Sequence, residues 1–163
     1  MIRMESISNE NLYVQSLFTH EQLPYDLFLL ADEEMEAIKR FIFRSEVYLV
    51  RHIGISDPIG AFALFEQDDK TVEIKNIAVI ESFQGLGVGS YILTCIQQLA
   101  SRKNYSEIIV GTADKGIMEI AFYKKNNFRQ YGVRENFFLE NYERPIFENG
   151  AMLKDMVMFK KAI

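Results

Sequence analysis

A single cysteine, Cys95, in 163 residues excludes an intramolecular disulfide and the stapled frameworks of small secreted domains. Histidine is almost as scarce. His20 and His52 lie far apart, without carboxylate or thiol partners at ligand spacing, so no metal site is expected. No apolar run approaches the roughly 18–20 residues that cross a bilayer, and no membrane partner is expected. Met1-Ile2-Arg3-Met4-Glu5-Ser6 carries an acid early and lacks an apolar h-region, unlike a signal peptide, so the expected location is cytoplasmic. Basic residues are in the minority, 18 Lys and Arg against 23 Asp and Glu, for a net charge of −5. That balance argues against a nucleic-acid partner, which needs a basic face. It suits an amine-bearing substrate. Tryptophan is absent and proline is limited to 3.

What is present is an ordinary globular composition, 48% hydrophobic and 25% charged, with 13 Phe and 8 Tyr. The length predicts one domain over residues 1–163 with a single substantial core. The first 30 residues have no firm period. From Asp32, a candidate helix cap, Met35, Ile38, Phe41 and Ile42 recur at helical spacing and end near Arg44. Strands follow over Glu46–His52, Ile59–Glu66 and Thr71–Val79, separated by turn residues, as an antiparallel meander. A helix then opens at Gly87 with Tyr91, Ile92, Cys95, Ile96 and Leu99 on one stripe, and ends at Ser101-Arg102-Lys103-Asn104. In that stripe Cys95 reads as a small buried residue.

Glu107–Thr112 reads as a buried strand, parallel to Thr71–Val79 through a right-handed β-α-β crossover. A second helix over Ile117–Asn126 is expected to pack Ile117, Ile120 and Ala121, with Asn127 in the left-handed conformation just past its end. Phe128–Val133 and Met152–Lys160 complete the strands, and 135–150 is an aromatic, irregular segment. The fold class is therefore α+β: a mixed, mostly antiparallel central sheet with one parallel crossover, flanked by helices on both faces.

The chemistry concentrates at Gln84-Gly85-Leu86-Gly87-Val88-Gly89-Ser90, where a β-branched strand empties into a helix. Glycines at a strand-to-helix junction present bare N–H groups and the positive end of the helix dipole, an arrangement that binds phosphate. The spacing fits neither the dinucleotide fingerprint nor a Walker loop. Gln84-x-x-Gly87-x-Gly89, followed by Ala121-Phe122-Tyr123-Lys124-Lys125-Asn126-Asn127-Phe128, resembles the GNAT superfamily of acyl-CoA-dependent N-acetyltransferases. The resemblance covers roughly Tyr48 to Tyr131.

The resemblance implies acetyl-CoA as cosubstrate. Its pyrophosphate would rest on the amides of Gly85, Leu86, Gly87, Val88, Gly89 and Ser90, with Gln84 as a further cofactor-binding residue, and its pantetheine arm would pair with the backbone of Ile77, Ala78 and Val79 by strand addition. In the family the matching strand usually carries a bulge that splays it from its parallel neighbour. The Val79 N–H is implied as the donor that polarises the thioester carbonyl, and Tyr123 as the general acid to the leaving thiolate. Glu73 aligns with the glutamate that some members use as base, while a place on the solvent face is the alternative. Asn76, polar within an apolar strand, is a candidate for orienting substrate or water.

Two departures from the pattern stand out. Ala113-Asp114-Lys115-Gly116 replaces the usual pantetheine-contacting Asn, leaving Asp114 or a backbone group as its substitute. Asn127 replaces a glycine. The segment 136–150, with Glu140, Glu143 and Glu148, is an acceptor-site wall, a homodimer contact or a packed cover. The implied activity is acetyl transfer to a primary amine of a small molecule or peptide by direct attack in a ternary complex. The alternatives are transfer to a protein N-terminus or lysine, and a non-catalytic acyl-CoA sensor.

Overall fold

The structure, a computed structural model, describes residues 7–18 and 22–163. The expectations placed on Met1–Ser6 and His20 lie outside these residues. Strands β1 (Leu12–Leu17), β2 (Glu46–His52), β3 (Gly60–Glu66), β4 (Thr71–Val79), β5 (Glu107–Ala113), β6 (Arg129–Arg134) and β9 (Met156–Ala162) form one sheet in the order β1-β2-β3-β4-β5-β9-β6. Strands β7 (Phe147–Glu148) and β8 (Ala151–Met152) make a separate hairpin. The helices are α1 (Tyr25–Phe28), α2 (Met35–Ile42), α3 (Val88–Arg102), α4 (Ile117–Lys125) and α5 (Phe137–Asn141). β4 and β5 run parallel while β1–β2, β2–β3, β5–β9 and β6–β9 are antiparallel, the mixed α+β sheet expected from the sequence.

The chain divides into two compact units. The first comprises the described residues of 1–65 with 75–99. Its core joins Phe28, Ile38, Ile42, Val47, Leu49, Ala61 and Ala63, with Phe41 edge-to-face on Phe28. Each large apolar side chain buried there contributes about 1.5–3 kcal/mol. α2 begins two residues later than Asp32 would set it. Glu34 takes the extended cap position, and Asp32 Oδ1 accepts from the Glu33 N–H at 2.7 Å.

β3 and β4 approach closely at Gly60, where an added Cβ would lie 2.6 Å from the Ala78 carbonyl oxygen. No side chain fits there without displacing backbone.

The second unit comprises residues 66–74 and 100–163. The Asp68 carboxylate accepts from the N–H groups of Lys70 and Thr71, both at 2.8 Å, which turns the polar connection into β4. The parallel ladder pairs Thr71–Ile74 with Glu107–Val110, and β4 continues past it as Lys75–Val79. A register shift falls in β6, between Gln130 and Gly132. Asn104 and Asn127 take positive φ, 64° and 68°, at the ends of α3 and α4, as their positions require.

Three expectations need correction. In α4, Ile117 and Ala121 are exposed and Tyr123 is the buried residue. Apolar side chains occur on every side of this helix, so periodicity does not select its face. The irregular segment 135–150 contains α5 and the first strand of the β7–β8 hairpin. Phe138, Ile146 and Leu153 form a small core of their own there, against which Phe137 and Tyr142 pack. The last strand begins at Met156 rather than Met152, because Ala151 and Met152 pair with Glu148 and Phe147.

Candidate active site

In the first unit the strand-to-helix junction is built almost entirely by local sequence. β4 ends at Val79, a short 3-10 turn covers Glu81–Phe83, and Gln84 returns to extended backbone. Gly85 and Gly87 then take φ of 74° and 89°. L side chains avoid that region at a cost of roughly 1–2 kcal/mol. A Cβ at either position would meet nothing within 4 Å, so backbone conformation and not crowding demands glycine. The Gln84 Nε2 donates to the Val79 carbonyl at 2.8 Å and ties the loop to the strand end.

α3 starts at Val88, and its first turn closes when the Tyr91 N–H donates to the Gly87 carbonyl at 3.0 Å. The N–H groups of Val88, Gly89 and Ser90 precede that bond and have no acceptor within the helix. Among the described residues, Gly85, Leu86 and Gly87 donate to no other backbone group. The first turn of α3 carries no acidic residue, and Arg102 sits in its last turn. The positive end of the dipole therefore faces the glycine bend without an internal counter-charge. Six consecutive residues, Gly85 to Ser90, thus present amides without a backbone acceptor at the start of α3, and the Leu86 carbonyl accepts from the Ile7 N–H at 3.1 Å.

Further along α3, Cys95 is half-buried rather than buried. It stands beside Tyr91, whose hydroxyl donates to the Leu12 carbonyl at 3.1 Å. Burial, with Cys95 adding to it, pushes the Tyr91 phenol up to about 12.

Asn76 is buried on β4, and its Nδ2 donates to the Phe28 carbonyl at 3.1 Å.

In the second unit Tyr123 is buried near the end of α4, against Phe128 at 5.6 Å and Phe159 at 6.1 Å between ring centroids. Burial raises its phenol above the usual range, and the charge of Glu119 adds to the effect. The hydroxyl therefore stays protonated throughout ordinary pH. Glu73 is 2% exposed, which rules out the solvent-face alternative. Its Oε1 accepts from Arg134 Nη1 at 2.9 Å. Sequence reasoning missed Arg134. The only signal was a charge in a β-rich run, and its partner lies 61 residues away. Tyr131 shares this environment: burial raises its phenol, Arg134 opposes that, and Glu73 and Glu107 reinforce it. Asp114 Oδ1 accepts from the Lys154 N–H at 3.4 Å, so this carboxylate is engaged in holding the chain that leads into β9.

Among the described residues no helix is long and apolar enough to cross a membrane, and no group of three or more His, Cys, Asp and Glu could hold a metal ion.

With this geometry in place, the chain can be set beside known proteins. The model of the acetyltransferase (GNAT) family matches residues 9–128. An uncharacterized N-acetyltransferase of Bacillus subtilis (strain 168), YvbK, is 35% identical over 140 residues, covering 85% of this chain and 88% of that protein. A GNAT family acetyltransferase from Elizabethkingia anophelis with acetyl-CoA bound superposes with a TM-score of 0.89 at 35% identity, covering 94% of this chain and 99% of that one. A Bacillus subtilis acetyltransferase in complex with CoA gives a TM-score of 0.83 at 31% identity, covering 93% and 99%.

Proposed function

The chain belongs to the acetyltransferase (GNAT) family and is an acyltransferase, and from that premise we propose that it moves acetyl from acetyl-CoA to a primary amine of a small molecule or peptide. In this reading residues 1–163 act as one acetyltransferase domain in the cytoplasm. A single cysteine suits a reducing compartment. The observation that carries the proposal is the cradle at Gly85–Ser90: left-handed glycines, uncommitted amides and an acid-free helix start, all suited to a pyrophosphate. The similar structures solved with acetyl-CoA and with CoA support the same ligand.

Acetyl-CoA supplies an activated acyl thioester. The chain's residues supply binding and proton handling. The Gly85–Ser90 amides hold the diphosphate. The main chain of Ile77, Ala78 and Val79, beyond the end of the β4–β5 ladder, accepts the pantetheine arm as an added strand. The Val79 N–H donates toward the thioester oxygen as a single oxyanion donor. Tyr123, kept protonated by burial, donates its proton to the departing sulfur. Glu73, anchored by Arg134, receives the proton that the amine loses by way of water. The amine attacks directly, and no side chain of the protein is acylated.

The test has two stages. Spermidine, an aminoglycoside, amino acids and short peptides are first screened for thiol release from acetyl-CoA. With the best acceptor, Tyr123→Phe should lower kcat by about 10²–10⁴-fold while acetyl-CoA affinity and thermal stability stay near wild type, because the ring packing survives. Undiminished kcat would overturn the acid assignment. Thiol release from none of these amines would overturn the acceptor class.

A further inference from the structure

Side chains alternate along a strand, so Ile74, Asn76 and Ala78 lie on one face of β4. Asn76 is 6% exposed. Its Nδ2 donates to the Phe28 carbonyl at 3.1 Å, and its Oδ1 is buried without a hydrogen-bond partner among the described residues. The direction of the amide is not arbitrary. A carbonyl can only accept, so the nitrogen must face Phe28 and the oxygen must point away from it. What remains is a buried acceptor that lacks a donor, an arrangement native proteins rarely leave without purpose.

The chain itself offers little to complete it. Ala78 flanks Asn76 on the same face at 2% exposure, and Phe28 is fully buried; neither has a donor on its side chain. An internal water needs about two to four polar partners to be held, and one carbonyl oxygen is a poor cage. A donor brought by a ligand fits better.

We propose that Asn76 Oδ1 accepts an N–H of the acceptor amine, which makes Asn76 a substrate-binding residue that orients the nucleophile. The inference rests on the acetyl-transfer reading above and adds the group that recognises the amine. An amide suits this task better than a carboxylate. The nucleophile must be neutral to attack, and a carboxylate beside it would favour the ammonium form. The Asn carbonyl holds an N–H without adding charge, leaving the lone pair free to point elsewhere. The Phe28 carbonyl acts as the clamp that keeps this oxygen aimed.

The experiment takes the fastest acceptor from the thiol-release screen. Asn76→Leu, similar in volume but without the oxygen, should raise the KM for that amine by about tenfold, the loss of one hydrogen bond. The Kd for acetyl-CoA, measured by calorimetry, should stay at the wild-type value. Asn76→Asp keeps an oxygen but adds charge, so the acid limb of kcat/KM for the amine should move to higher pH, a change that mere loss of packing does not produce. If both variants keep the wild-type KM and pH profile and only melt lower, Asn76 serves Phe28 alone and the proposal falls. If the Leu variant does not fold, the Asp profile decides. If wild type binds acetyl-CoA but no amine releases thiol, the acceptor reading fails first and takes this inference with it.

Discussion

Gly87 offers the sharpest test of the anion cradle, because two substitutions there cost the same backbone strain and differ only in charge. At φ 89° any L residue is disfavoured by about 1–2 kcal/mol. A Cβ at this position meets nothing within 4 Å, so no steric clash adds to that figure. Gly87→Ala should therefore lower Tm by roughly 2–8 °C for a chain of this length. Gly87→Glu suffers the same strain, but its carboxylate stands at the positive end of α3, worth about 0.3–1 kcal/mol in its favour. Without ligand the Glu variant should melt at or above the Ala variant.

Ligand binding reverses that order. A carboxylate about 4 Å from a phosphate charge costs about 1 kcal/mol in water and about 4 kcal/mol at an effective dielectric of 20. CoA affinity should then fall about fivefold to a thousandfold in the Glu variant relative to Ala. The loss should shrink at about 1 M salt, where the screening length is about 3 Å. Calorimetric titration of CoA into wild type and both variants, at low and high salt, reads all of these values. Equal CoA affinity for the Ala and Glu variants at low salt would refute the reasoning, since no pyrophosphate could then lie on the bend.

Other perturbations probe the frame around the site. Gly60→Ala places a Cβ where the Ala78 carbonyl stands 2.6 Å away, so β4 must shift; stability should fall by about 1–3 kcal/mol in denaturant titration. Arg134→Leu strips the guanidinium from buried Glu73. Since Arg134 is 35% exposed, the expected loss is roughly 2–3 kcal/mol, under the 3–5 kcal/mol typical of a fully buried pair. Adding Glu73→Gln to that variant should recover much of the stability while leaving acetyl transfer impaired, and recovery of activity as well would remove Glu73 from the chemistry. The Tyr91 phenol, at 10.0 in the unfolded chain, is raised to about 12 in the fold. Its contribution to stability is thus complete below pH 10 and is lost as pH rises through about 12; Tyr91→Phe should flatten that alkaline decline in the unfolding free energy.

Much of this protein was legible in its residue order. β2 and β4 fall where β-branched runs end in turn residues, and Asn104 and Asn127 adopt the left-handed conformation at the two helix ends that called for it. Other features were illegible for specific reasons. Ile117 and Ala121 have the spacing of a buried stripe, yet the ring of Tyr123 takes the buried face because Phe128 and Phe159 are there to receive it. Met152 alternates well with the residues after it, but pairs with Phe147 instead, while Leu153 joins the small core around Phe138. Sequence patterns report which residues seek burial. They do not report which remote surface will supply it.

The glycine bend is determined by sequence alone. Its positive φ angles, the start of α3 and the absence of acid in the first turn all involve residues within a few positions of one another, and local sterics and capping suffice to produce them. Only the tertiary structure decided that Glu73 meets Arg134, that Asn76 clamps to Phe28, and that Tyr123 loses its water. The partners of Glu73 and Asn76 stand tens of residues away from them. They come together through strand register and core packing, which depend on the whole chain having folded.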